Sequence, residues 1–184
     1  HSVVSTLNIR EGQRVLSVLP LHHTFENTVG MYAMLSYGSC ICFVDGLRYL
    51  AQNLKEWQIE VILAVPLLFE NIYHQIEKNL VKAKKQKLVN VMRIIAKGLL
   101  KINIDVRRKL FHQILDAVGG KLNLCVSGAA PIDRKIIAFF NEIGIDFFNG
   151  YGLTETSPVI AACNYHVNVY GSVGQPLAFI EAAI

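Results

Sequence analysis

The sequence predicts an α/β protein: a mostly parallel sheet with helices on both faces. Short apolar runs rich in β-branched residues recur along its 184 residues with amphipathic helical stretches between them, the alternation that generates strand-helix-strand crossovers. Hydrophobic residues make up 52% of the chain and charged residues 17%, which suits strands buried on both faces and excludes a disordered segment. No internal repeat, low-complexity tract or Ser/Gly/Pro linker divides it, so residues 1–184 are expected to form a single subdomain.

In chain order, 15–19 is the first buried strand, followed by a helix over 28–37 and a second strand at 40–44. A helix over 49–57 leads to the third strand at 61–65, where Pro66 can occupy the first helical turn because its missing N–H has no partner there in any case. Leu67, Leu68, Ile72 and Ile76 then give the i, i+4 stripe of a helix over 67–79. A basic helical insertion is expected at about 82–103, with Leu88, Val91, Met92, Ile95 and Leu99 at helical spacing among lysines. A further helix over about 105–118 closes at Gly119-Gly120 and turns into the fourth strand, 122–127. Asp133 is placed to cap a helix over 134–143, and 145–148 forms the fifth strand.

Several classes are excluded. The uncharged stretch Asn27 to Val44 is broken by Gly30 and Gly38 and fits a helix followed by a strand better than a membrane span of about 20 apolar residues. The start, His1-Ser2-Val3-Val4, has no basic or apolar leader and no initiator Met, so the chain is expected to be a piece of something longer. Cys40, Cys42, Cys125 and Cys163 show no CxxC spacing; they read as reduced, structural thiols and point to the cytoplasm.

Ligands of open α/β sheets bind beyond the carboxyl ends of the strands, which directs attention to three loops. In Ser127-Gly128-Ala129-Ala130-Pro131 the small side chains let a flat ligand approach the backbone, although on spacing alone a tight packing turn is the commoner reason for them. The segment from Asn149 to Pro158 sets Tyr151 between Gly150 and Gly152 as a stacking face, with the Thr154 hydroxyl and Glu155 carboxylate close behind. That combination suits a phosphate and its Mg²⁺ ion. Alone, Tyr151 would read as a core aromatic and Glu155 as a solvated acid. Before them, Pro20 to Glu26 carries the pair His22-His23, which on spacing alone is more often a structural loop than a ligand set.

Together these motifs resemble the adenylate-forming superfamily of acyl-CoA synthetases, luciferases and peptide-synthetase adenylation domains. Leu19-Pro20-Leu21-His22-His23-Thr24-Phe25-Glu26 is similar to its acyl-site motif, Leu124 to Pro131 to its adenine loop, Tyr151 to Glu155 to its Tyr-Gly-x-Thr-Glu signature, and Gly171 to Leu177 to the glycine turn that follows. Within the superfamily the sequence looks most like long-chain fatty-acid CoA ligases. The alternatives are an aryl- or short-chain-acid ligase, or a non-catalytic nucleotide-binding module. The resemblance implies a subdomain of the large N-terminal domain of such an enzyme, using ATP, Mg²⁺ and CoA to convert a long-chain fatty acid to its thioester. It assigns Tyr151 to the adenine beside Ala129, Ala130, Pro131, Asn149, Gly150 and Gly152, Thr154 to the α-phosphate, Glu155 to the metal and His23 to the acyl carbonyl. Relatives also carry a glycine-rich phosphate loop and a small C-terminal domain that have no counterpart here, so residues 1–184 are expected to be inactive alone.

Eleven of the 18 Lys and Arg residues lie between Lys78 and Lys109 against one acid, Asp105, while the other seven face thirteen acids. This basic region is read as a solvated helix face, as peripheral contact with an anionic membrane, or as contact with the phosphates of CoA. Aromatics are not interleaved with the charges, which argues against nucleic acid.

Overall fold

The register of the first five strands sets the architecture. In a computed structural model that describes residues 2–181, β1 (Arg14–Ser17), β2 (Cys40–Phe43), β3 (Val61–Ala64), β4 (Leu124–Ser127) and β5 (Asp146–Tyr151) pair in parallel. Two short strands, β6 (Ala161–Ala162) and β7 (Gln175–Pro176), add antiparallel, and the sheet order is β2-β1-β3-β4-β5-β6-β7. His1 and residues 182–184, which include the two chain ends read above as cut, lie outside the described residues.

Strand alternation divides the core into two layers. Leu16, Ile62, Cys125 and Phe147 align across β1, β3, β4 and β5 and enter one cluster with α3 (Leu50–Glu56), α4 (Pro66–Lys82), α7 (His112–Ala117) and α8 (Arg134–Ile143). Their neighbours Val15, Leu63, Val126 and Phe148 face the other way, where Leu7 of α1 (Ser2–Leu7), Val29 and Met34 cover them. Both faces are therefore dry, as the near-continuous apolar strands require. Pro66 starts α4 and Asp133 caps α8 by accepting from the Lys135 amide at 2.8 Å, both as expected.

Three segments depart from the sequence expectation. Residues Glu26–Ala33 wind as a π-helix before α2 (Met34–Ser36). Here Gly30 leaves room for the Glu26 carboxyl to fold back, since a Cβ on Gly30 would stand 2.9 Å from Glu26 Cδ. The helix expected over 105–118 breaks at Phe111 (φ −101, ψ 19) into α6 (Arg107–Leu110) and α7. Phe111 is buried in the core at the break, while the Arg108 guanidinium holds the α6 side by donating to the carbonyls of Gly120, Leu122 and Gly144, each at 2.9 Å. Finally, β5 runs on to Tyr151 because Gly150 and Tyr151 pair with Ala162 and Ala161; strands of two residues are too short to leave a period in sequence.

The basic region folds as the end of α4, α5 (Gln86–Leu100) and α6. No helix of the described residues is long and apolar enough to cross a membrane, and all four cysteines are free thiols.

Phe140 lies among Phe69, Phe139 and Phe147 at ring-centroid distances of 6.3, 5.9 and 5.4 Å. Phe140→Ala is expected to lower stability by about 3–5 kcal/mol, measured as a fall in the urea midpoint at unchanged slope; a loss under about 1 kcal/mol would contradict this packing.

Candidate functional site at the carboxyl ends of the strands

β3, β4 and β5 are in register at Ala64, Ser127 and Asn149; β4 ends there, β5 runs on two residues to Tyr151, and the loop after β1 reaches the loops that follow them. Together they enclose a cleft of about 190 Å³. His23, Thr24 and Phe25 form one wall, Gly128 and Ala129 a second, and Gly150 to Thr154 a third, with Pro158 and Val159 at the base. Thr24 Oγ1 donates to Thr154 Oγ1 at 3.4 Å, a link between residues 130 positions apart.

Backbone geometry explains the residue types. Gly152 passes so close to Pro158 that any Cβ would overlap its carbonyl. Ala129 is held at φ +71, a left-handed conformation that costs a non-glycine residue free energy and commonly marks functional loops. After Gly152 the chain makes a single 3₁₀ turn, Thr154–Thr156, fixed by the Leu153 amide donating to Thr156 Oγ1 at 2.9 Å. Tyr151, at 48% exposure, keeps its ring accessible.

Of the residues singled out from sequence, His23, Ala129, Gly150, Tyr151, Gly152 and Thr154 line the cleft; Ala130, Pro131, Asn149 and Glu155 are outside its wall. The Asn149 Nδ2 donates to the Ser172 carbonyl at 3.2 Å, tying β5 to the 171–177 segment, while its Oδ1 is buried without a partner among the described residues. The Glu155 side chain is exposed and has no hydrogen bond or ion pair among the described residues. No group of three or more His, Cys, Asp or Glu among the described residues could hold a metal unaided. A single free carboxylate instead suits Mg²⁺, which takes one or two carboxylates and completes its octahedron with water and phosphate oxygens. Sequence reasoning assigned no role to Thr24, whose contact depends on a pairing of distant loops.

Glu26, immediately after the first wall, is an unusual group. It is 1% exposed, and neither carboxyl oxygen makes a hydrogen bond of regular geometry among the described residues. Burial pushes its pKa above the usual carboxylate range, and the Ser17 hydroxyl and Leu19 amide only partly offset this.

The cleft lies beyond the carboxyl ends of the strands of an open, mostly parallel sheet, where sheets of this class commonly bind ligands. The chain belongs to the AMP-binding enzyme family, which it matches over residues 1–184. It is 29% identical to the long-chain-fatty-acid–CoA ligase FadD15 of Mycobacterium bovis, covering 92% of this chain and 30% of that protein. It is 33% identical to human long-chain-fatty-acid–CoA ligase 1, covering 82% of this chain and 22% of the relative. The chain thus spans about a third or less of the length of these relatives. Its fold is that of the N-terminal domain of FACL13 from Mycobacterium tuberculosis, with a TM-score of 0.65 at 16% identity over 97% of this chain and 37% of that one.

Since the neutral form of Glu26 is the one the fold favours, its stabilising contribution is complete below the ordinary carboxylate pKa of about 4.3 and is lost as pH rises through the raised folded value. The Tm of the wild type is therefore expected to fall as pH rises above the ordinary carboxylate range, and Glu26→Gln to flatten that fall, by differential scanning calorimetry; parallel Tm profiles would show that burial does not raise the Glu26 pKa.

Proposed function

We propose that this chain is the adenine-, Mg²⁺- and acyl-contacting part of a long-chain fatty-acid CoA ligase. In the first step an oxygen of the fatty carboxylate attacks the α-phosphorus of ATP and the bond to pyrophosphate breaks. In the second, the CoA thiol loses its proton, attacks the acyl carbonyl and expels AMP. The observation that carries the reading is the convergence of Tyr151, Thr154 and His23 on one cleft in a chain of the AMP-binding family.

Tyr151 offers its exposed face to the adenine, with Ala129, Ala130, Pro131, Asn149, Gly150 and Gly152 shaping the backbone around it. Thr154 donates to the α-phosphate, Glu155 ligates Mg²⁺, and His23 stands beside the acyl carbonyl. Mg²⁺ when bound neutralises phosphate charge; the chain's own contribution is to position the reactants and exclude water. A cleft of about 190 Å³ is smaller than the roughly 300–1,000 Å³ of complete small-molecule sites. It therefore suits part of an acyl adenylate, with the remaining contacts in other segments of a protein of the relatives' length.

Acid-dependent pyrophosphate release by the full-length protein, run across fatty-acid lengths and an aryl acid, is expected to peak with long chains. Thr154→Val is expected to lower kcat by about 10²-fold, as loss of one transition-state donor does, and Glu155→Gln to raise the MgATP requirement. Residues 1–184 alone are expected to release no pyrophosphate. A preference for aryl acids would move the protein to another branch of the family, and activity untouched by either substitution would remove the cleft from the reaction.

The basic region is proposed to bring this cytoplasmic enzyme against an anionic membrane, where a fatty substrate partitions. Leu88, Val91, Ile94 and Ile95 of α5 are exposed between its lysines, the composition of an interfacial helix. Replacing Lys82, Lys84, Lys85 and Lys87 by Gln is expected to weaken sedimentation with phosphatidylglycerol vesicles, at about 1 kcal/mol per charge, and to leave phosphatidylcholine vesicles unchanged; undiminished binding would rule out the contact.

A further inference from the structure

A second, larger cavity lies on the helical side of the molecule and shares no lining residue with the cleft. It measures about 390 Å³ and runs between α4, α5 and the α6–α7 elbow. Ile76 and Leu80 of α4, Val89 and Met92 of α5, and Phe111 and Ile114 at the elbow make its walls. Ala83, Lys85 and Leu88 on its lining are exposed, so it is a groove open to solvent between the helices and not an internal void. The volume falls in the range of small-molecule sites.

Its mouth differs chemically from its walls. Asn79, Lys85, His112 and Gln113 are the polar lining groups, and Lys85 Nζ donates to Gln113 Oε1 at 3.0 Å, which ties the turn before α5 to α7 at the opening. From Lys78 to Ile104 the sequence has no acid, and Lys82, Lys84 and Lys87 flank the same turn. Glu77 and Asp116 lie on the wall helices, but neither lines the cavity. An apolar groove rimmed by positive charge is complementary to one kind of small molecule: an apolar tail with an anionic head.

We propose that the α4–α5–α7 groove is a binding site for a single-chain anionic amphiphile, its alkyl tail between Ile76, Met92 and Phe111 and its head at Lys85. The site is separate from the acid-activating cleft. Occupation adds apolar contacts between α5, α4 and α7 to those that Val89 and Ala96 already make in the core. The groove does not depend on the ligase reading, because its geometry is the same whatever the cleft does.

The test uses the full-length protein in detergent-free, vesicle-free buffer with dodecyl phosphate carrying a diazirine in its chain, a probe with no carboxylate to activate. After irradiation, peptide mass spectrometry is expected to place saturable labelling within residues 76–92 and 110–117, displaced by unmodified dodecyl phosphate and not by uncharged dodecyl maltoside. Leu88→Trp, which puts a large ring on a half-exposed lining position, is expected to abolish this labelling while pyrophosphate release continues. Lys85→Gln is expected to weaken displacement about fivefold, the effect of removing one rim charge. Labelling confined to the 20–25 and 149–159 peptides, labelling that is not saturable, labelling that requires vesicles, or labelling unchanged in both variants would each overturn the site.

Discussion

The backbone register of β3, β4 and β5 is the constraint on which the rest of the structure depends. Parallel strands buried on both faces leave the chain only their ends from which to reach solvent, and the alignment of Ala64, Ser127 and Asn149 brings those ends to one edge of the sheet. The cleft exists because three loops depart from one rim. A slip of one residue in β4 would carry Val126 to the wrong face of the sheet and turn the Gly128–Ala129 wall away from Thr154. Core packing and site geometry are therefore one property of this sheet: the ring cluster of Phe69, Phe140 and Phe147 that fixes β5 also fixes the loop bearing Tyr151.

Much of this was legible in sequence because the physical signals were strong and local. Each buried strand is a compact apolar run, Pro66 and Asp133 carry their own conformational instructions, and Gly119-Gly120 ends a helix where nothing larger fits. The parts that were not legible depend on distant partners. β6 and β7 exist through pairing with β5 and have too few residues to show alternation. The break at Phe111 follows from a phenylalanine drawn into a core assembled by other segments and from an arginine held by three carbonyls far along the chain. The π-helical winding after Phe25 accompanies a carboxyl folded onto Gly30, which the helical periodicity of 28–37 does not reveal.

The candidate site divides along the same line. Tyr151, Gly152 and Thr154 are contiguous, and the loop that presents them could be read directly. The meeting of Thr24 with Thr154, or the separation of Asn149 and Glu155 from the cleft wall, follows from tertiary placement. Two costly local features lie at this rim: Ala129 at positive φ and the buried carboxyl of Glu26 just behind the first wall. Each costs free energy, and the two dry layers of the sheet offset that cost elsewhere.

The long connection between β3 and β4, from Ala64 to Leu124, shows how such a fold can be elaborated. Loop-closure entropy rises only logarithmically, so doubling a connection costs about 0.6 kcal/mol, and the sheet tolerates a helical excursion of this length at little thermodynamic expense. The kinetic effect is larger, because β3 and β4 must find each other across the whole excursion, and sequence-distant pairings slow folding. Helices α4 and α5 shorten that search, since they are assembled from local contacts and gather the intervening chain before the strands meet. The same excursion is a place where new surface can be added without disturbing the rim that carries the cleft.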